Sequence, residues 1–116
     1  MFEYNCTLSR VIDGDTVELS IDLGFRLSVR EIIRLEGIDA PETRGPEREK
    51  GALAKDRMSH LIARSLELRV VTGKGRGKYR WLGTLYGLWP DAGGGAYWIN
   101  LNQEMIARGH AKPYTP

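Results

Sequence analysis

Cysteine and histidine are scarce in this chain of 116 residues: Cys6 is the only cysteine, and His60 and His110 are the only histidines. A lone cysteine excludes an intrachain disulfide, and these scattered side chains are too few for a structural zinc site. We therefore expect Cys6 to be a small apolar side chain in the first strand.

Long apolar stretches are also missing. No window reaches the roughly 18 apolar residues that a membrane helix needs, and residues 1–5 lack the basic and apolar regions of a secretory signal. The sequence therefore predicts a protein outside the membrane. We expect it to be cytoplasmic, or secreted if a leader has been removed.

The composition is that of an ordinary globular protein, with 41% hydrophobic and 28% charged residues. A chain of this length can bury a hydrophobic core without disulfides, so we expect one domain, residues 1–116, and a monomer.

The pair Asp13-Gly14 is typical of a tight turn, and the alternating apolar residues after it indicate a half-buried strand. Strands are predicted over residues 2–12, 16–23, 25–36, 66–72 and 80–89. Gly45-Pro46-Glu47 predicts a helix start, and helical spacing continues to about Arg64. A second helix is predicted near Asn102, as N-cap, up to Gly109. This order predicts a mainly β, α+β fold: a five-stranded OB-type Greek-key barrel with two helices.

Charge is distributed unevenly along the chain. Residues 1–43 carry four Arg, no Lys and nine acids, a net charge of −5, whereas residues 44–116 carry thirteen Lys and Arg and six acids, a net charge of +7. An acidic N-terminal part and a basic C-terminal part suit a metal site that faces a polyanion, although ordinary solvated faces also segregate charge.

Two acidic segments are the candidate metal site. Asp15 begins the second predicted strand and Asp39 follows the third, so the two carboxylates can meet at one rim of a barrel. Hard oxygen ligands of this kind suit Ca²⁺ or Mg²⁺. Each segment taken alone is more typical of a turn rich in acids than of a metal site, and the spacing is not that of an EF-hand loop.

Arg34 favours a site over two unrelated turns. A strand arginine five residues before Asp39 could place its planar guanidinium beside a metal, where a phosphate would bind. The alternative for Arg34 is a surface salt bridge to Glu36 or Glu42.

A basic segment precedes the last predicted strand: Lys74-Gly75-Arg76-Gly77-Lys78-Tyr79-Arg80-Trp81. Its alternating cations and glycines, ending in aromatics, are typical of a loop that follows a nucleic-acid backbone. A soluble hairpin tip would have the same composition.

Taken in order, these segments resemble the thermonuclease family, the domains similar to staphylococcal nuclease. The matching segments are Val11-Ile12-Asp13-Gly14-Asp15-Thr16, Arg34-Leu35 with Asp39-Ala40-Pro41-Glu42-Thr43, Lys78-Tyr79-Arg80-Trp81-Leu82-Gly83, and Leu101-Asn102 with Ile106-Ala107-Arg108-Gly109-His110-Ala111.

The resemblance implies a function for each position. It implies one Ca²⁺ ion, or Mg²⁺, bound by Asp15, Asp39 and the carbonyl of Ala40, with Glu42 as general base. It also implies that Arg34 and Arg80 hold the scissile phosphate and that Lys78 and Tyr79 bind the neighbouring phosphate and sugar. The implied activity is endonucleolytic hydrolysis of DNA and RNA with low sequence specificity, at the 5′-oxygen–phosphorus bond, leaving 3′-phosphate ends.

The chain departs from the family pattern in places. Ala40 replaces a threonine that lends only its backbone carbonyl, and the family's Asp-x-Tyr-Gly-Arg is reduced to Gly77-Lys78-Tyr79-Arg80, which makes Arg76 a candidate substitute for Arg80. Tyr114 lies one position off the register of the family's substrate tyrosine. The alternative functions are a catalytically inactive OB-fold module that binds nucleic acid or protein, and a scaffold domain that binds no nucleic acid.

Overall fold

The computed structural model describes residues 2–76 and 80–115, without the side chains of residues 74–76. Three antiparallel strands come first: β1 (Phe2–Asp13), β2 (Thr16–Gly24) and β3 (Leu27–Leu35). In β2 the alternation predicted from the sequence corresponds to burial, because Val17, Leu19 and Ile21 face the core. A turn joins β2 to β3, and Phe25 and Arg26 have positive φ angles of 54° and 66° there. Residues 22–30 at this end of the hairpin are all exposed.

The sheet closes into a barrel. β5 (Leu68–Arg76) pairs with β1, and β6 (Trp81–Pro90) pairs with β5. β6 also pairs in parallel with β3, through Ile33↔Trp81, Arg34↔Leu82 and Leu35↔Gly83. The ring β3-β2-β1-β5-β6 therefore has five strands, and the predicted OB-type α+β fold is confirmed.

Three short strands and one helix cap differ from the prediction. A further strand, β7 (Ala96–Asn100), extends the sheet beyond β6, and the two-residue strands β4 (Ile38–Asp39) and β8 (Lys112–Pro113) pair with each other. The predicted N-cap Asn102 is wrong: the cap of α2 (Leu101–Ala107) is Asn100, whose side chain accepts a bond from the Gln103 N–H.

The longer helix covers one end of the barrel. A short 3₁₀ turn at Gly45–Glu47 leads into α1 (Arg48–Ala63), so the predicted start and end are close to those observed. Its buried face is formed by Gly51, Ala54, Met58, Leu61 and Ile62. These residues join the strand core, whose fully buried members include Leu19, Ile33 and Leu85.

Asn102 connects α2 to the barrel. Its Oδ1 accepts the N–H of Leu85 at 3.1 Å, and its Nδ2 donates to the carbonyls of Glu36 at 3.0 Å and Gly83 at 3.2 Å. Because both the oxygen and the nitrogen of this buried side-chain amide are hydrogen-bonded, its position is fixed. Asn102 therefore holds β6, α2 and the turn after β3 together.

Within the described part of the chain, no helix has both the length and the apolar character required to span a bilayer.

Candidate functional site

The candidate site lies where β1, β2 and β3 reach the same rim of the barrel. A two-residue connection, Gly14-Asp15, joins β1 to β2, and Thr16 pairs with Arg34 across β2 and β3. The N–H of Leu35 also donates to the carbonyl of Asp15 at 2.7 Å. This register places the Asp15 and Arg34 side chains next to each other.

Asp15 is a turn residue, as one alternative held, but it is not an exposed one. Only 5% of its surface is exposed. Its Oδ2 accepts the N–H of Ala40 at 2.8 Å and pairs with Nη1 of Arg34, while Oδ1 accepts the hydroxyl of Thr16 at 2.9 Å. Burying a carboxylate is unfavourable unless it is bonded in this way. Asp15 therefore anchors the loop after β4 to the barrel rim.

Gly14 permits this close packing. A Cβ at Gly14 would lie 2.8 Å from the Cβ of Ala54 on α1 and 3.0 Å from the Cβ of Ala40. Any larger residue would push α1 and the Ala40 loop away from Asp15.

Arg34 bridges the two acidic segments. Its Nη2 donates to Asp39 Oδ1 at 3.4 Å and to the carbonyl of Ile38 at 3.2 Å, and its guanidinium carbon lies 5.8 Å from the ring centre of Tyr114. Partial burial alone would lower the pKa of Arg34, but the bond to Asp15 and the charges of Asp15 and Asp39 outweigh burial and raise this pKa. The partners are thus the two candidate metal ligands, not Glu36 or Glu42.

Glu42 lies on the loop that leaves Asp39. This loop is fixed by Asp13, whose Oδ1 accepts the N–H of Thr43 at 3.2 Å and its hydroxyl at 2.8 Å. It is also fixed by close packing on α1: a Cβ at Gly51 would lie 2.7 Å from the Thr43 nitrogen and closer still to the Glu42 carbonyl oxygen. The Glu42 carboxylate is exposed and, among the described residues, forms no hydrogen bond or ion pair.

The donor atoms fit a hard cation that retains water. Asp15 and Asp39 offer carboxylate oxygens around one positive group, and the carbonyl of Ala40 lies in the same loop. Among the described residues no cluster of three or more His, Cys, Asp or Glu side chains could hold a metal. A Ca²⁺ or Mg²⁺ ion bound here would therefore depend on two carboxylates, the carbonyl and water molecules, and its positive charge would compete with Arg34 for the same oxygens.

The structure describes only some of the residues that were predicted to bind phosphate. Arg80 is exposed and directly precedes β6, whose first residue pairs with Ile33. Its backbone is therefore next to the strand that carries Arg34. Lys78 and Tyr79 lie outside the described residues, as does the side chain of Arg76.

A groove of about 520 Å³ adjoins Asp39 and Glu42. One wall is the loop 39–44 with the start of α1, and the other is residues 109–112 after α2. His110 lies in this second wall, and burial together with the positive charges of Arg57 and Arg108 lowers its pKa.

Sequence reasoning missed the residues that hold the site in place. Asp13 and Thr43 were seen only as parts of motifs, Gly51 was not singled out, and Tyr114 was assigned no role. The only sequence signal was that Asp13 and Thr43 flank the candidate ligands in their motifs. Their pairing depends on a contact 30 residues apart.

A family model described as staphylococcal nuclease homologue matches residues 32–115. The matched segment contains Arg34, Asp39, Glu42 and Arg80, whereas Asp15 precedes it. The family resemblance predicted from the motifs is confirmed by this match. No curated protein matches the chain.

Proposed function

Because this chain belongs to the staphylococcal nuclease homologue family, we propose that it is a metal-dependent endonuclease that hydrolyses phosphodiester bonds of DNA and RNA. The proposed ion is Ca²⁺, with Mg²⁺ as the alternative. We propose low sequence specificity and cleavage of the 5′-oxygen–phosphorus bond, which leaves 3′-phosphate ends. We also propose that residues 1–116 act as a single, monomeric domain. The observation that carries the proposal is the position of Arg34 between Asp15 and Asp39, with Glu42, which has no partner among the described residues, on the adjoining loop.

Asp15, Asp39 and the carbonyl of Ala40 would hold the ion, which when bound would offset the negative charge of the scissile phosphate. The rigid setting of Asp15 supports this role, since a ligand that accepts bonds from Ala40 and Thr16 keeps its orientation when the ion is exchanged.

Arg34 would stabilise the charge that develops on the phosphate oxygens. A guanidinium presents parallel N–H donors to a phosphate as it does to a carboxylate. Its present partners include the carboxylates of Asp15 and Asp39, so a bound cation would free some of its N–H groups for the phosphate. Arg80 would donate from the position directly before β6, the strand next to that of Arg34.

Glu42 would act as the general base. A water oxygen would attack phosphorus while the carboxylate of Glu42 accepts the water proton, and the 5′-oxygen would leave in line and take a proton from solvent. An exposed carboxylate that forms no ion pair with any described residue, on a loop fixed by Asp13 and Gly51, is suited to this step.

The test is degradation of single-stranded DNA and RNA with Ca²⁺, with Mg²⁺ and with a chelator. Wild-type protein is expected to cleave with the metal and leave 3′-phosphate ends, and Asp39→Ala serves as the control for contaminating nucleases. Glu42→Gln is expected to lower kcat by about 10²–10⁴-fold and leave DNA binding in place, whereas Glu49→Gln, an exposed acid on α1, should leave kcat unchanged.

Two outcomes contradict the proposal in different ways. Normal turnover in Glu42→Gln would remove Glu42 from the mechanism. Absence of cleavage in any metal, with salt-dependent binding of DNA retained, would replace the enzyme with a nucleic-acid-binding module.

A further inference from the structure

We propose that the end of the β2–β3 hairpin, residues 22–30, binds the surface of an anionic lipid bilayer. Phe25 enters the acyl boundary, and Arg26 and Arg30 lie at the lipid phosphates. The hairpin lies in the interface of the bilayer and does not cross it. This inference goes beyond the proposed nuclease activity and does not depend on it.

The hairpin end exposes large apolar side chains to solvent. Phe25, in the turn, is 98% exposed. Leu23, Leu27 and Val29 are exposed as well. Val29 pairs with Ile21, which belongs to the core, and Leu27 lies on the same face of β3 two positions nearer the turn. The apolar face that lines the barrel therefore continues beyond it into solvent, and a contiguous exposed apolar surface of this kind indicates an interaction site.

The turn holds Phe25 in a backbone conformation that favours small polar residues. Phe25 and Arg26 have φ angles of 54° and 66°, and Gly24 before them has 83°. A two-residue hairpin loop with two positive φ angles is typical of a type I′ turn, for which Asn-Gly is preferred. A bulky side chain is unfavourable there. The chain therefore carries a large apolar ring at the most exposed point of the hairpin despite its conformational cost, which favours a function for the ring outside the fold.

The charges of the hairpin end favour a negatively charged partner. The side chains of Arg26 and Arg30 have no ion pair or hydrogen bond with any described residue. The one acid of the segment, Asp22, is bonded locally, since its Oδ1 accepts the Gly24 N–H at 2.8 Å. Two Arg and one Asp give residues 22–30 a net charge of +1. An anionic surface therefore complements the hairpin end.

The order of these side chains along the hairpin fits the depth of a bilayer interface. Arg30 lies three positions beyond Leu27 along β3, a distance of about 10 Å. An interfacial element buries its apolar side about 5–10 Å below the headgroups, which places Arg30 level with the lipid phosphates when Phe25 and Leu27 are buried. Glu31, the next acid along β3, is half-buried and lies further from the turn.

The shape of the hairpin end favours lipid over a protein partner. Residues 22–30 are all exposed, so the end projects into solvent on every side. A fluid bilayer admits a projecting apolar tip without a preformed groove, whereas a protein would need a matching cavity. The turn also lies at the far end of β2 from the candidate site, because Thr16 and Gly24 at the two ends of this strand are about 26 Å apart. Insertion of the turn therefore leaves the rim with Asp15 open to solvent.

The experiment measures co-sedimentation of the full chain with vesicles of phosphatidylcholine alone and of phosphatidylcholine mixed with phosphatidylserine. The first variant is Phe25→Asn, which removes the ring and suits the positive φ, so its Tm should be at least that of the wild type. The matched control is Leu66→Asn, an exposed apolar residue outside the hairpin. We expect Phe25→Asn to weaken binding to the mixed vesicles at least tenfold and Leu66→Asn to bind as the wild type does.

The second variant tests the charges. Arg26→Gln combined with Arg30→Gln should weaken binding to the mixed vesicles by about 25-fold, since each Arg near an anionic surface contributes about fivefold. Binding to phosphatidylcholine alone should change much less. The matched control, Lys55→Gln combined with Arg57→Gln, removes the same charge from exposed positions of α1 and should bind as the wild type does.

Three results would overturn the lipid site. They are no binding of the wild type to the mixed vesicles, equal binding by wild type and Phe25→Asn, and an equal loss in the two charge variants, which would mean general attraction of a basic protein. Self-association of the wild type in sedimentation velocity, abolished by Phe25→Asn and without vesicle binding, would replace the bilayer with a second copy of this chain. Cleavage of DNA without vesicles should be the same in Phe25→Asn and wild type, so failure here is distinct from failure of the proposed nuclease.

Discussion

Replacing Asn102 by leucine tests whether the buried amide is the main connection between α2 and the barrel. Leucine has a similar size, so the change removes hydrogen bonds without opening a large cavity. The N–H of Leu85 and the carbonyl of Glu36 then lose a partner. The carbonyl of Gly83 keeps the N–H of Glu36, at 2.8 Å.

The magnitude follows from these two groups. Leaving the buried N–H of Leu85 without a partner lowers the free energy of unfolding by about 2 kcal/mol. Leaving the carbonyl of Glu36 without one lowers it by about 1 kcal/mol, because the exposed Glu36 side chain lets water approach. The expected loss of unfolding free energy is about 3 kcal/mol. For 116 residues, an unfolding entropy of about 2.1 cal/mol/K per residue converts this to a fall in Tm of about 12 °C.

The assay is thermal and urea unfolding followed by far-ultraviolet circular dichroism. The matched control is Asn100→Ala, which removes only the cap of the same helix and should cost about 1 kcal/mol, or about 4 °C. If Asn102→Leu destabilises the protein no more than Asn100→Ala, the buried network contributes little net stability and the reasoning is refuted.

Two further predictions concern Gly51 and Cys6. Gly51→Ala places a Cβ against the backbone of the Glu42 loop. We therefore expect turnover to fall at least tenfold even where circular dichroism shows a folded protein. Wild-type kinetics in this variant would mean that the loop adjusts freely. Burial raises the pKa of Cys6 to about 12 from 9.0. Labelling of this thiol with a disulfide reagent at pH 8 should therefore be about 1000-fold slower in the native protein than in urea. Rapid labelling of the native protein would show that β1 opens readily.

The strands of the barrel could be predicted because their burial alternates. Val17, Leu19 and Ile21 face the core at every second position, and that pattern is visible in the sequence. β7 was missed because Ala96, Tyr97 and Trp98 are all exposed, so no alternation marks the strand. Its pairing with β6 is a tertiary contact that the sequence does not encode locally.

The helix cap shows a different limit. Asn100 and Asn102 both precede an apolar helical stretch, and either residue type caps helices well. Only the packing of α2 on β6 decides that Asn100 is the cap and Asn102 is buried.

For the candidate site, the meeting of Asp15 and Asp39 at one rim could be foreseen from strand order. The sequence could not decide whether Arg34 bridges Asp15 and Asp39 or forms a surface salt bridge, because that depends on the register between β2 and β3. The contact of Thr43 with Asp13 and the packing of Gly51 on Glu42 were also hidden, since they depend on how α1 lies over the loop. The groove beside Asp39 and Glu42 is lined by separate parts of the chain, which form no sequence motif.

The attachments of the segment 36–39 determine when the site can form during synthesis. This segment carries Asp39. Besides its bonds to Arg34, it is held by residues from the last third of the chain: Gly83, Asn102, Lys112 and Tyr114. The N-terminal hairpins supply Asp15 and Arg34 early in synthesis, whereas these partners of the segment are made later. The candidate site is therefore complete only after residues 83–114 have folded onto the barrel.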